Sequence, residues 1–252
     1  MKQLMTLVML LTVHATLAAN WSNTSISFLR GNNFKLGTQS KTEVTLEHAS
    51  AYNYGDNFFW FDITDPQNSS GENKTEIYGE WSPRFSLGKI FGFYDDNRFI
   101  KDVLQSNTIE WGRNTYNTAI NARLFGIGFD LNIPYFKFFQ INFYLRDTLN
   151  KSGTSFQTTA AYLLPFSFSE KFQLSWGGYF DHVIGDEGSE SDNTLGQGHF
   201  QSGQQLLLDV GNLWNSANTI FMGFEYQYWN RKYGIKGGPV ENNLKYMAKW
   251  VF

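Results

Sequence analysis

The sequence predicts an all-β protein: a single antiparallel transmembrane β-barrel of about 12 strands with both termini periplasmic. Three observations lead there. Aromatic residues make up 18% of the 252-residue chain, yet no apolar run is long enough to cross a bilayer as a helix. Apolar and polar residues alternate with period two in one segment after another, as in a wall with one lipid face and one wet face. The last such segment ends on Phe252, which leaves its final aromatic in the interfacial girdle.

A chain of this length fits one domain. The formal charge of −3 gives no broad attraction to nucleic acid. Cysteine is absent, and a barrel closed by its own hydrogen bonds needs no disulfide. Met1-Lys2-Gln3 forms a short basic start, and Leu4 to Val13 is an apolar stretch of signal-peptide length. Small residues around Ala18 and Ala19 predict cleavage at 18/19 or 19/20. Residues 1–18 are therefore expected to be a signal peptide, and 19–252 the exported outer-membrane barrel.

Taken in order, the first strand runs from Trp21 to Arg30, with Ile26 and Phe28 on one face. Lys41, Glu43, Thr45 and Glu47 then alternate against Thr42, Val44, Leu46 and His48. The third strand, 56–65, sets Phe59, Phe61 and Ile63 against Phe58, Trp60 and Asp62. The fourth, 75–84, sets Glu76, Tyr78, Glu80, Ser82 and Arg84 against Ile77, Gly79, Trp81 and Pro83. Further strands are expected at 101–111, 121–132, 136–147, 153–164, 172–183, 199–210, 219–231 and 241–252. In the last, Leu244, Tyr246, Ala248, Trp250 and Phe252 share one face. An even count puts both ends on one side, the periplasmic side in single-chain bacterial barrels. Segments 31–40, 66–74, 185–198 and 232–240 are expected as the longer, extracellular connections. Asn132 to Tyr135 and Pro165 to Lys171 are short enough for periplasmic turns.

If each strand turns its apolar set to lipid, the lumen receives Glu43, Glu47, Asp62, Glu76 and Glu80. Glu110, Asp130, Asp181, Asp209 and Glu225 join them. The inward bases are Arg84, Arg146, Arg231, Lys245 and Lys249, which leaves an acid-leaning wall. Any one of these charges is most simply a cross-strand structural pair. Phe58, Trp60, Tyr78, Tyr144, Tyr179 and Trp229 fall on the same inward faces. Aromatic rings in a wet lumen are costly unless packed or used. Stacking on a planar base is worth roughly 1–3 kcal/mol per ring, so rings beside carboxylates suit a solute with an aromatic base and a hydroxylated sugar. The plainer reading is that the rings fill the interior by packing.

The runs Phe58-Phe59-Trp60-Phe61-Asp62 and Tyr78-Gly79-Glu80-Trp81-Ser82-Pro83-Arg84-Phe85-Ser86-Leu87-Gly88-Lys89 resemble the Tsx-type nucleoside-specific channel family, which includes OmpK-like phage receptors. Trp111-Gly112-Arg113-Asn114 and Leu124-Phe125-Gly126-Ile127-Gly128-Phe129-Asp130 are similar to the family's Gly-Arg-Asn turn and Gly-x-Gly-x-Asp strand. Phe252 resembles the closing Phe of bacterial outer-membrane proteins, an assembly signal read by the barrel-assembly machinery. The resemblance covers the mature chain in outline. It implies a 12-stranded outer-membrane channel for passive, selective diffusion of nucleosides or similar small solutes into the periplasm. The implied surroundings are outer-membrane lipid and lipopolysaccharide, with phage as a further partner.

The competing class is a closed or non-selective barrel serving as a surface protein and phage receptor. A barrel hydrolase ranks last. His48, His182 and His199 fall in different strands with no nucleophile motif or metal-ligand spacing. The acidic stretch from Asp186 to Asn193 lacks the ligand pattern of a calcium loop. No cofactor, metal or catalytic residue is expected. Sequons at Asn23, Asn68 and Asn73 carry no weight in a bacterial outer membrane.

Overall fold

The computed structural model describes residues 19–66, 75–188 and 196–252. The signal-peptide expectation, the sequons at Asn68 and Asn73, and most of the acidic stretch beyond Gly188 lie outside them. The strands are β1 (Trp21–Gly31), β2 (Lys41–Tyr52), β3 (Gly55–Thr64), β4 (Glu76–Ser86), β5 (Ile100–Arg113) and β6 (Ala122–Leu131). They continue as β7 (Phe138–Thr148), β8 (Ser155–Ser167), β9 (Gln173–Ile184), β10 (His199–Asp209), β11 (Ile220–Asn230) and β12 (Glu241–Val251). Each pairs antiparallel with its sequence neighbours, and β1 pairs with β12, so the sheet is a closed barrel. Among the described residues no helix is long and apolar enough to cross a membrane.

Closure removes the unpaired edges that a lipid environment would penalise. The seam joins Ser25 to Val251, Ser27 to Lys249, Leu29 to Met247 and Gly31 to Lys245. Beyond the last paired residue, the Phe252 N–H donates to the Thr24 carbonyl at 3.0 Å. The Phe252 ring lies outside, against Trp250 at 5.0 Å.

Directly paired residues share a face, so the register carries the inward set around the whole ring. Glu47, Trp60, Glu80 and Glu110 are successive cross-strand partners from β2 to β5. Thr159, Asp181, Gln201 and Trp229 are the equivalent row from β8 to β11. The outward rows carry Phe28, Trp81, Phe125, Phe143, Phe224 and Tyr246, all exposed. Phe125 presents 62% of its surface. This is an inside-out protein, with charges buried and aromatics outside, as a lipid solvent requires.

Two local features depart from the sequence expectation, and a third is notable for its geometry. A short helix, α1 (Leu87–Phe91), follows β4, capped by the Ser86 hydroxyl accepting from the Lys89 N–H. Too short for a periodic signal, it lies in a stretch where no element was expected. Strand β8 runs on to Ser167, past Pro165, so the turn expected from Pro165 begins later. Pro83 sits inside β4, where it can donate no ladder bond; the Asn107 side-chain amide on β5 instead donates to the Pro83 carbonyl at 3.4 Å.

Candidate functional site in the barrel lumen

The inner wall is organised in three levels. At the end holding the β1–β2 and β11–β12 connections, three cations and four carboxylates interlock. Lys41 pairs with Glu76, and Lys232 with Glu241 at 2.7 Å. Lys245 reaches Glu43 at 2.5 Å and Glu225 at 2.9 Å. Further down the same strands Lys249 pairs with Glu47. Into the upper group the β1–β2 connection inserts Phe34, which is only 2% exposed. The ammonium groups of Lys41, Lys232 and Lys245 stand 5.5, 5.5 and 5.7 Å from its ring centre, within cation–π range.

The β11–β12 connection closes over the same end. Tyr233, in a left-handed conformation (φ 61°), packs against Trp229 at 4.7 Å. Its hydroxyl donates to Glu76 on β4 at 2.6 Å. Burial first, then the Glu76 carboxylate, push the Tyr233 pKa well above the usual phenol range, so the hydroxyl remains a donor.

The middle level is aromatic and acidic. Trp60 on β3 meets Tyr78 on β4 edge-on at 5.5 Å. It also meets Tyr179 on β9 at 6.2 Å. Strand β9 lies six positions from β3 in either direction round the ring, so these two rings touch across the lumen and constrict it. Tyr179 leans over Gly203, where a side chain would come within 2.7 Å of the ring; only glycine leaves that position open. Gln201 donates to the Tyr179 hydroxyl at 2.7 Å.

Three carboxylates surround this constriction. Asp62 accepts from the Thr45 hydroxyl at 2.5 Å, and Glu80 from the Tyr78 hydroxyl at 2.9 Å. Asp181 accepts from Thr159 at 2.5 Å and Gln157 at 3.2 Å. Among the described residues none of the three forms an ion pair, whereas Glu110 beside them is held by both Arg146 Nη atoms at 2.6 Å. The third level, toward the end bearing the termini, centres on Arg84. It holds Asp56 through two bonds of 2.8 and 2.5 Å and Asp130 at 3.0 Å.

Over residues 18–250 the chain matches the family model described as nucleoside-specific channel-forming protein, Tsx. It belongs to the Tsx family. A curated relative, outer membrane protein OmpK of Vibrio parahaemolyticus, is 25% identical over 79% of this chain and 74% of its own length. Among solved structures, the KdgM porin in complex with disordered oligogalacturonate gives a TM-score of 0.49 at 8% identity, covering 90% of this chain and 99% of its own. The translocator domain of the autotransporter NalP from Neisseria meningitidis gives 0.44 at 12% identity, covering 98% and 94%. As a Tsx-family barrel, the protein is an outer-membrane channel.

Register sets most of the expected wall residues of this Tsx-family barrel on one inner face, but in different surroundings. Phe58 lies inward and partly exposed, opposite Ala49 and Ser82. Tyr144 is buried opposite Gly126, beside Leu124 and Ala122. Asp209 ties the β10–β11 turn, accepting backbone N–H groups of Asn212 and Asn218 at 3.1 and 2.7 Å. Arg231 departs from the expectation. It lies past the end of β11 in a left-handed conformation (φ 52°), exposed, and donates to the Gly198 carbonyl at 3.1 Å. The chain leaves the ladder there, so strand parity no longer governs its direction.

Sequence reasoning missed Lys41, Asp56, Lys232, Glu241, Phe34 and Tyr233. Parity extended to the strand ends places Lys41, Asp56 and Glu241. Phe34, Lys232 and Tyr233 come from connections that fold inward, and no periodic signal marks them. His48 bonds Thr24 at 2.8 Å, and His182 stacks edge-on to Phe200 at 6.0 Å. Among the described residues no group of His, Cys, Asp or Glu is arranged to hold a metal ion.

Proposed function

We propose that this outer-membrane channel conducts nucleosides, or small solutes built like them, by passive diffusion into the periplasm. One observation carries the reading: Trp60, Tyr78 and Tyr179 converge beside Asp62, Glu80 and Asp181, three carboxylates that form no ion pair among the described residues. Rings offer an apolar face to a base, and carboxylates accept from ribose hydroxyls. Each contact is weak and exchangeable, as conduction requires. The same carboxylates disfavour a phosphorylated solute. The wider wall residues, from Glu43 and Glu47 to Lys245 and Lys249, set the charge of the path. In this reading residues 1–18 direct export, both termini face the periplasm, and Phe252 is the assembly signal.

The contact of Trp60 with Tyr179 favours one competing reading, a barrel with no open path. Liposome swelling separates the two. Proteoliposomes should swell faster in uridine than in uridine monophosphate. Swelling no faster than in protein-free vesicles with every solute would establish the closed barrel.

A further inference from the structure

The connection from β4 to β5 is tightly braced, yet it turns its apolar side chains outward. Asp102 accepts from the Ser86 hydroxyl at 2.6 Å and from the Gly88 N–H at 3.0 Å. The Phe93 and Tyr94 N–H groups both return to the Gly88 carbonyl, at 2.8 and 3.1 Å, and Asp95 N–H donates to Lys101 at 3.1 Å. From the next turn, Asn132 donates to the Asp96 carbonyl at 3.0 Å. Despite this bracing Ile90, Phe91, Phe93, Tyr94 and Phe99 are all exposed, Phe91 by 72% and Phe99 by 65%. A segment held at so many points cannot fold these side chains away, and a contiguous exposed apolar patch marks an interaction surface.

The occupant follows from continuity. In the chain the patch continues the outward face of β4 through Phe85. It is matched on neighbouring turns at the same end of the barrel. Tyr135, exposed by 87%, tips the β6–β7 turn, and Tyr54, Phe168 and Trp214 are exposed on the others. The connections at the opposite end are more polar: they expose Asn32, Asn33, Lys35 and Lys236, and their exposed apolar side chains, Tyr116, Leu149, Ile235 and Val240, are spread over separate turns and reach at most 54%. Lys89, with its ammonium 5.0 Å from the Tyr94 ring, places a cation at the edge of the aromatic patch. The rim is of mixed charge, with Arg98 paired to Asp95 at 3.2 Å, and aromatic bodies with polar, charged edges fit the boundary between acyl chains and headgroups.

We propose that the α1 connection is an interfacial anchor, with Phe91, Phe93 and Phe99 immersed in the bilayer leaflet at the terminus-bearing end. This does not depend on the nucleoside reading. It ties the patch to the inner wall, because Asp102 holds the same segment through Ser86 and Gly88.

The chain has no cysteine, so single nitroxide labels can be placed cleanly. Labels would be introduced through Phe91→Cys, Phe93→Cys and Tyr135→Cys in full-length protein reconstituted into phosphatidylethanolamine/phosphatidylglycerol vesicles. Phe125→Cys serves as the lipid-facing reference and Asn32→Cys as the water-facing one. The ratio of collisions with oxygen to collisions with a water-soluble nickel chelate reports immersion. Ratios at 91 and 93 should be several-fold above that at 32 and approach that at 125. Tyr135→Cys, in a separate turn, gives the same readout should a label in α1 block folding. Ratios at 91, 93 and 135 equal to that at 32 would overturn the proposal and leave the patch to a periplasmic protein partner.

Discussion

Replacing Lys245 by methionine is expected to cost about 3–5 kcal/mol of stability, the usual effect of removing one member of a buried ionic cluster. Its ammonium is nearly inaccessible and joins Glu43 on β2 to Glu225 on β11. Because β12 lies between β1 and β11 in the closed order, the contact to Glu43 spans the seam where the last strand meets the first. Methionine matches the length and leaves two carboxylates facing each other without a cation. The urea midpoint of the detergent-folded barrel should fall, and the unheated form should become sensitive to SDS. Adding Glu43→Gln and Glu225→Gln to Lys245→Met should recover most of the loss, because the penalty comes from uncompensated charge. An unchanged midpoint in the single variant would mean that lumen water solvates these carboxylates well enough to replace the lysine.

The second large effect is expected at the constriction. Trp60 touches both Tyr78 and Tyr179, so Trp60→Ala removes the shared ring and opens the narrow point. If each stacking contact contributes roughly 1–3 kcal/mol, nucleoside block should weaken by about five- to a hundredfold, while open-pore conductance rises. Phe61→Ala is the informative control. Residue 61 is the next along β3 and, by the two-residue period, points to lipid. Its loss should lower assembly yield and leave block unchanged. The reverse pattern would mean that the rings on the inner face are packing and take no part in reading the solute.

The wall was legible in the sequence because a membrane strand displays both its environments in alternate residues. Thr45 with Asp62, or Glu80 with Glu110, could be assigned inward from parity alone, and the register places them there. The contacts made across the lumen were not legible. Nothing local links Trp60 to Tyr179, or Tyr233 to Glu76; both depend on closure, shear and connections that fold back into the barrel. For the same reason the list of inward charges did not reveal which carboxylates lack a cation. Glu110 and Asp181 look alike in sequence, yet one is clasped by Arg146 and the other rests on Thr159 and Gln157. Parity also misplaced Arg231, because it holds only while the chain stays in the ladder.

Single-channel recording in planar bilayers, with adenosine and adenosine monophosphate added in turn, tests the central claim most directly. The acids beside the aromatic constriction predict brief interruptions of current by adenosine at concentrations where the monophosphate leaves the trace unchanged. Equal block by the two solutes, or an open pore indifferent to adenosine, would contradict it.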